Sequence, residues 1–475
     1  LEIGEKYIAD HPGDIEEEFN KGRPQDIAVM IQTSGTTGVP KIAMLSHRNL
    51  ATMAAQWVEA ANIQPEENWI SMSPPAWIVD QMWGMGVALS SAMTMNFPET
   101  NETVLEDFRD IGPSMLITAS RFWEDMASRI RVKISDASWI KRKLFYLGES
   151  VGRSVVAKRL HKQTIAWPIK VLYQFLTLAV YNPLLDRLGC SHFHSAFTGG
   201  HPISPDVIGF FRAIGLNLKQ CYGLTESGGI FQIQPDDEVK LETVGKPLPL
   251  TEVKLADDQE VLVKSEANFS GYYNDYKSTE AAFENGWLKT GDAGYIDEDG
   301  HLLIIGRKED IIRNKSGEAF SPDFIETRLK FSPYIKEAVT FGEARPYISA
   351  MINIDLGNVG NWAEERMIPY TTYMDLSQQK AVEELILKEV RQVNEQLPDV
   401  MKIKKFVLLY KMLDADDDEL TRTGKVRRRF VYGLYIKIIE AMYAGLRNVP
   451  VTGKIRYRDG RVGEIETSIN IISVD

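Results

Sequence analysis

The sequence predicts an α/β fold: a large N-terminal domain with mostly parallel sheets and a β-rich subdomain, plus a small α+β C-terminal domain. Three observations predict it. Through the first half, short apolar runs alternate with helically spaced stretches, the rhythm of a parallel sheet covered by helices. From Glu252 onward the runs become strand-like and are separated by turn residues such as Glu298-Asp299-Gly300. After Gly306-Arg307 strands mix with one long helical pattern. The boundary falls between 1–308 and 309–475, and a length of 475 residues accommodates one large and one small domain.

In chain order, residues 26–33 read as a buried strand, and 41–45 as a second one after a Gly-rich turn. Residues 49–61 have helical spacing. Residues 114–119 and 194–198 are short apolar strands, and 217–221 is strand-like. Segment 141–185 differs in charge: Lys141, Arg142, Lys143, Arg153, Lys158, Arg159, Lys162 and Lys170 run into the apolar stretch 171–180. Two readings stand there, solvated surface helices with a core helix, or an amphipathic face touching anionic lipid or a lipid-like substrate. Residues 252–255, 260–264 and 301–305 read as strands of the β-rich part. In the small domain 338–341 and 348–354 read as strands and 378–396 as a long helix. An acidic loop, 414–419, precedes Arg427-Arg428-Arg429. The tail reads as a hairpin, 454–458 and 464–472, about a turn at Asp459-Gly460.

Composition narrows the function. The chain carries 54 Lys+Arg against 66 Asp+Glu, a net charge of −12, which argues against nucleic-acid binding. Its 44% hydrophobic and 25% charged residues are ordinary globular usage, which excludes disordered and fibrous classes. Cys190 and Cys221 are the only cysteines, so no disulfide framework forms and a reducing, cytoplasmic compartment is expected. No run of 18 apolar residues marks a transmembrane helix. The chain begins at Leu1 in acidic, loop-like sequence with no charged–apolar–small leader, so an upstream segment is expected. Cys190, His192 and His194 alternate and would share one face of a strand, where core packing is expected over a metal site.

Four motifs carry chemistry. The first is Thr33-Ser34-Gly35-Thr36-Thr37-Gly38-Val39-Pro40-Lys41, between two strand-like runs. Its glycines let backbone approach phosphate oxygens, its hydroxyls and amides donate, and its Lys adds a point charge. The spacing is not that of a nucleoside-triphosphatase phosphate loop, and a solvated hydroxyl-rich hairpin is the alternative. The second is Tyr222-Gly223-Leu224-Thr225-Glu226-Ser227, where a Tyr can stack on a purine and a Glu suits Mg²⁺. The third is Gly286-Trp287-Leu288-Lys289-Thr290-Gly291-Asp292 with Gly306-Arg307, an Asp on a loop able to accept ribose hydroxyls. The fourth is Leu420-Thr421-Arg422-Thr423-Gly424-Lys425, a Lys beside Gly on a short loop. Singly, the last two read as ordinary surface residues.

Together and in this order, the four motifs resemble the AMP-forming adenylate-forming superfamily of acyl-CoA synthetases, luciferases and peptide-synthetase adenylation domains. The resemblance runs from residue 26 to about residue 430. Within the superfamily the chain looks most like the long-chain fatty acid–CoA ligases. That likeness rests on Ser73-Pro74-Pro75-Ala76-Trp77-Ile78-Val79-Asp80, residues 307–322 and the hairpin-bearing tail.

The resemblance implies that ATP and a carboxylic acid, expected to be a medium- or long-chain fatty acid, give an acyl-adenylate and pyrophosphate, and that CoA then takes the acyl group and releases AMP. It implies that Thr33, Ser34, Gly35, Thr36, Thr37, Gly38 and Lys41 hold the β- and γ-phosphates. Tyr222 and Gly223 would meet adenine, with Gly199, Gly200 and His201 opposite. Thr225 would meet the α-phosphate and Glu226 the Mg²⁺, while Asp292 and Arg307 would bind ribose. Lys425 would bridge the acyl carboxylate and the α-phosphate. Glu309 would be the hinge of a mobile small domain whose other face presents Lys315, Ser316, Gly317 and Glu318 for thioester formation. Trp77 would lie at the carboxylate end of an acyl pocket, with Met82, Trp83 and Met85 lining it or, equally, filling the core. Three departures stand out: Ile42 where relatives have Gly, Glu at the hinge, and Arg313 with Lys315 on the thioester-forming face. The alternatives are adenylation with a carrier-protein or amine acceptor, or a non-catalytic nucleotide- or acyl-binding regulator. The regulator's expected signature is loss of Lys425, Glu226 or Asp292, and all three are present. The expected location is cytoplasmic, with peripheral membrane contact through 141–185.

Overall fold

The computed structural model describes the chain apart from residues 1, 34–39, 101–102, 161, 202, 415–416, 418, 420–425, 457–461 and 475. It forms two compact units. The first comprises Leu1–Thr290 with Gly294–Ile304, and the second Gly291–Ala293 with Ile305–Asp475.

A seven-stranded sheet organises the first unit, in the order Thr94–Asn96, Asn68–Ile70, Met115–Ala119, Ser195–Gly199, Leu218–Leu224, Gly229–Ile233, Lys246–Pro247. The first five strands are parallel. The last two each run antiparallel to the strand before. Successive residues of a strand point to opposite faces, and both faces here are covered, so the strands read as unbroken apolar runs. Trp69, Met115, Ile117 and Phe197 enter one core with Trp57 and Trp83. Ile70, Leu116, Ala196 and Leu218 enter the other with Trp123, Phe210 and Phe211. A smaller antiparallel sheet joins Ile27–Thr33, Lys41–Ser46 and Gly271–Tyr272. A third is built on the antiparallel pairs Glu252–Leu255 with Glu260–Lys264 and Phe283–Glu284 with Trp287–Ile296. Helix His47–Ala60 begins where Ser46 and Asn49 cap each other's backbone amides.

The α/β class expected from the sequence is borne out. Two local expectations are corrected. The strand Ile27–Thr33 is not buried; only Ile31 is, because one face alone packs on the core. Cys190, His192 and His194 share no strand face: the strand starts at Ser195, and His194 Nε2 instead meets Glu67 Oε1 at 2.8 Å. Among the described residues no group of three His, Cys, Asp or Glu gathers in a metal-binding arrangement.

Segment 139–187 forms helices Trp139–Leu160, Trp167–Leu176 and Asn182–Arg187, with a π-helical turn at Thr177–Tyr181. The Tyr181 hydroxyl donates to Gly148 O at 2.7 Å, and Arg159 lies over the Tyr173 ring at 5.4 Å, so the first two helices run antiparallel. No helix among the described residues is long and apolar enough to cross a membrane.

The second unit has a five-stranded sheet in the order Ile335–Phe341, Ile348–Ile354, Ile403–Leu408, Val462–Ser473, Asn448–Arg456. Ile348–Ile354 and Ile403–Leu408 pair in parallel and the other neighbours are antiparallel. Helix Lys380–Glu395 buries Val382, Ile386, Val390 and Val393, the single stripe its helical spacing requires. Val339, Met351 and Val407 pack with Val431, Ile439 and Met442.

Candidate functional site

In open α/β sheets, ligand-binding groups collect beyond the carboxyl ends of the parallel strands. The predicted residues of the first unit gather there. Gly199 ends the strand Ser195–Gly199, with Gly200 and His201 following, and Tyr222 and Gly223 close the strand Leu218–Leu224. A Cβ on Gly223 would come within 2.1 Å of Gly229 O, so only glycine permits this crossing. Gly200 has φ of +83°, and a Cβ there would meet the Trp77 ring at 3.3 Å. The Trp77 ring therefore lies beside the Gly199-Gly200-His201 turn. A cavity of about 570 Å³ lined by Thr33, Pro40, Pro75, Ala76 and Gln81 joins the base of the first motif to the Trp77 segment.

Thr225, Glu226 and Ser227 form a single 3₁₀ turn. Ser227 Oγ accepts from Leu224 N at 3.0 Å and donates to Gly229 O at 2.7 Å, which fixes the turn. The half-buried Glu226 carboxylate accepts the Tyr272 hydroxyl proton at 2.8 Å. Lys41 Nζ lies 5.0 Å from the centre of the same Tyr272 ring. Burial, with Glu226 beside it, pushes the Tyr272 hydroxyl well above the ordinary tyrosine range. Among the described residues no basic side chain pairs with Glu226, which leaves a hard oxygen donor open to a cation.

Met82 and Trp83 lie in the core cluster. Both are wholly buried, and Trp83 packs on Trp57 and Trp69 with ring centres at 5.3 and 5.8 Å. Their π-helical turn, Met82–Val87, places them in the core cluster against which Trp77 packs. Met85, on the same turn, is exposed. Asp80, which closes the Ser73–Asp80 motif, is a buried carboxyl that accepts from Ser71 Oγ at 2.9 Å and whose pKa burial raises.

In the second unit Asp292 is almost buried and Arg307 Nη1 meets it at 3.2 Å. Asp292 was expected on a loop but lies within the strand Trp287–Ile296. Glu309 is exposed in the short turn Lys308–Asp310. Lys315, Ser316, Gly317 and Glu318 sit between the paired strands Ile312–Arg313 and Ala319–Phe320. Asn314 Oδ1 accepts from Ser316 N at 2.9 Å and Glu318 N at 3.0 Å, an Asx turn the sequence reading overlooked.

Ser34, Gly35, Thr36, Thr37, Gly38 and Lys425 lie outside the described residues. The flanks of the Lys425 loop are clear. Before it, fully buried Glu419 accepts from the Tyr435 hydroxyl at 2.7 Å and from Asp414 N at 3.0 Å, and pairs with Lys411 at 3.0 Å. After it, Arg428 Nη2 donates to Glu326 Oε2 at 2.9 Å and Asp323 Oδ1 at 2.8 Å. Burial pushes the Glu326 carboxyl up, and Arg428 pulls it down.

Two family models match this chain. One for AMP-binding enzymes covers residues 4–273, and one for the AMP-binding enzyme C-terminal domain covers 309–447. The long-chain-fatty-acid–CoA ligase FadD15 of Mycobacterium bovis is 31% identical over 426 residues, covering 89% of this chain and 70% of the relative. The long-chain-fatty-acid–CoA ligase ACSBG2 of Xenopus laevis is 27% identical over 454 residues, covering 89% of this chain and 61% of that protein. Among solved structures, apo MatB from Rhodopseudomonas palustris superposes with a TM-score of 0.57 at 20% identity, over 88% of this chain and 70% of that one. MenE from Bacillus subtilis, in complex with ATP and magnesium ion, gives 0.54 at 20% identity, over 86% and 70%. The structural likeness carries the fold, and the family models and the 31% identical relative carry the membership: this chain belongs to the AMP-binding enzyme family, as an adenylate-forming acyl-CoA synthetase.

Proposed function

We propose that this chain activates a long-chain fatty acid with Mg-ATP to an acyl-adenylate and then transfers the acyl group to the thiol of CoA. The observation that carries the reading is Glu226, held by Tyr272 beside Lys41 at the ends of the parallel strands. A lone hard carboxylate fits Mg²⁺, which is held by one or two carboxylates together with substrate phosphates. When bound, the ion supplies neutralisation of phosphate charge. Lys41 and the residues from Thr33 to Gly38 hold the β- and γ-phosphates, and Thr225 donates to the α-phosphate. Tyr222 and Gly223 contact adenine against Gly199, Gly200 and His201. Asp292, oriented by Arg307, accepts the ribose hydroxyls. Trp77 meets the carboxylate end of the acid, and Lys425 bridges that carboxylate and the α-phosphate. Residues 1–308 and 309–475 act as two domains, with a swing about Glu309 exchanging Lys425 for Lys315, Ser316, Gly317 and Glu318. Closing the site around the adenylate also keeps water from it.

The test supplies Mg-ATP with acids from acetate to palmitate, and benzoate, and follows pyrophosphate and AMP with and without CoA. CoA-dependent AMP release with the long-chain acids is expected. Pyrophosphate exchange indifferent to CoA would replace CoA by a carrier-protein or amine acceptor. Nucleotide binding without pyrophosphate release would leave a non-catalytic regulator.

A cytoplasmic protein that touches membrane peripherally through 141–185 is part of this reading. Residues 139–170 hold eight Lys or Arg against Glu149 alone, a net of +7 in a chain of −12. Trp167, Val171, Phe175 and Leu178 recur at helical spacing on one side of their helix, with Trp167 75%, Phe175 58% and Leu178 72% exposed. The opposite side, through Leu176, enters the core. An apolar stripe flanked by basic residues suits an anionic lipid surface. Flotation with anionic vesicles at low salt is expected, and Phe175→Ser with Leu178→Ser should abolish it. Unchanged flotation in the double variant, or none in the parent, would remove the contact.

A further inference from the structure

The strap 269–273 carries no residue that the four motifs contain, yet it touches two of them. Phe269 N donates to Glu226 O at 2.8 Å, so the strap holds the main chain of the Glu226 turn. The Tyr272 hydroxyl donates to the Glu226 carboxylate at 2.8 Å, so the same strap also holds its side chain. In the other direction, Ser270 N donates to Met44 O at 2.9 Å and Tyr273 N to Ile42 O at 2.8 Å, which stitches the strap to the strand leaving Lys41. Tyr272 itself is locked. Its backbone N donates to Thr279 Oγ1 at 2.8 Å, and its ring meets Phe269 edge-on at 4.9 Å. Gly271 has φ of +125°, and a Cβ there would press on Thr279 Cγ2 at 2.7 Å, so the strap adopts this path only with glycine.

A glutamate side chain on a short turn has three rotatable bonds, and a cation site works only if its carboxylate is already aimed. A buried hydroxyl that donates to one carboxylate oxygen settles the aim and leaves the other oxygen outward. The negative face of the same ring attracts the Lys41 ammonium. One side chain thus sets the spacing between a phosphate-binding cation and a cation-binding anion.

We propose that Tyr272 is a positioning residue for Mg-ATP: its hydroxyl orients Glu226 toward the metal, and its ring holds Lys41 toward the phosphates. The inference rests on the reading of Glu226 and Lys41 given under Proposed function. It makes Tyr272 act through these two groups, without touching the reacting atoms.

The test measures binding of α,β-methylene-ATP by calorimetry while Mg²⁺ is varied, on the parent, Tyr272→Phe and Tyr272→Leu, with thermal unfolding as the control for fold. Tyr272→Phe keeps the ring and loses the hydroxyl. Its half-saturating Mg²⁺ is expected to rise about tenfold, the worth of one hydrogen bond to a charged group. Its binding of the metal-free nucleotide should not change. Tyr272→Leu is expected to weaken metal-free binding as well, because Lys41 loses its ring. An unchanged Mg²⁺ requirement in a folded Tyr272→Phe would overturn the inference while leaving the nucleotide site intact. A parent that binds the nucleotide with no Mg²⁺ dependence would overturn the assignment of Glu226, and this inference with it.

Discussion

Glu226 in the first unit and the Lys425 loop in the second are held by opposite means. Glu226 sits on a turn closed by Ser227 and strapped by residues 269–272, with main chain and side chain both bonded. The loop around Lys425 is clamped at its ends by buried ion pairs and hydrogen bonds, Glu419 with Lys411 and Tyr435 on one side, and Arg428 with Glu326 on the other. The difference teaches where preorganisation is built in. A carboxylate proposed to hold a metal ion gains from a rigid mount, because no reorganisation is then needed as charge develops.

The largest expected effect breaks a clamp. Arg428→Ala strands Glu326 as a buried carboxylate without its guanidinium, which should cost the second unit about 3–5 kcal/mol. Denaturant unfolding followed by a probe in that unit would show an early transition, and a single unshifted one would mean that the clamp is not structural. Next comes the loop itself. Lys425→Ala should slow adenylate formation by about 10²–10³-fold, the worth of one group aimed at transition-state charge. Thioester formation from a supplied acyl-adenylate should continue, and equal losses in both half-reactions would refute the division between the two faces. The smallest effect sharpens the comparison on the thioester side. Asn314→Ala removes the acceptor for Ser316 N and Glu318 N, and should slow the CoA step by about tenfold, one to two hydrogen bonds' worth, with adenylation unchanged. Equal slowing of both steps would make the 315–318 turn a scaffold element and nothing more.

The motifs were legible because each compresses its chemistry into a few consecutive residues. Thr225 and Glu226 needed no fold to be noticed. Tyr272 was invisible for the converse reason: it lies 46 residues from Glu226 and meets it only once Gly271–Tyr272 pairs with Lys41–Ser46. Asp292 was found but misplaced: it was expected on a loop and lies within the strand Trp287–Ile296. Met82 and Trp83 show the same limit on another scale. They and Trp167 with Phe175 belong to helical segments that contain or run into π-helical turns, yet the first pair is buried in the core and the second is exposed.

By itself, the sequence determined the α/β class, the order of the strands' apolar runs and the chemical types arrayed for nucleotide binding. Hydrophobic periodicity and short motifs are local properties, and they survive without the fold. Only the tertiary structure decided which apolar residues are core, which carboxylate a distant tyrosine would aim, and which side chains clamp the Lys425 loop. Those are contacts between residues far apart in the chain, and packing against a particular partner, which composition does not encode, creates them.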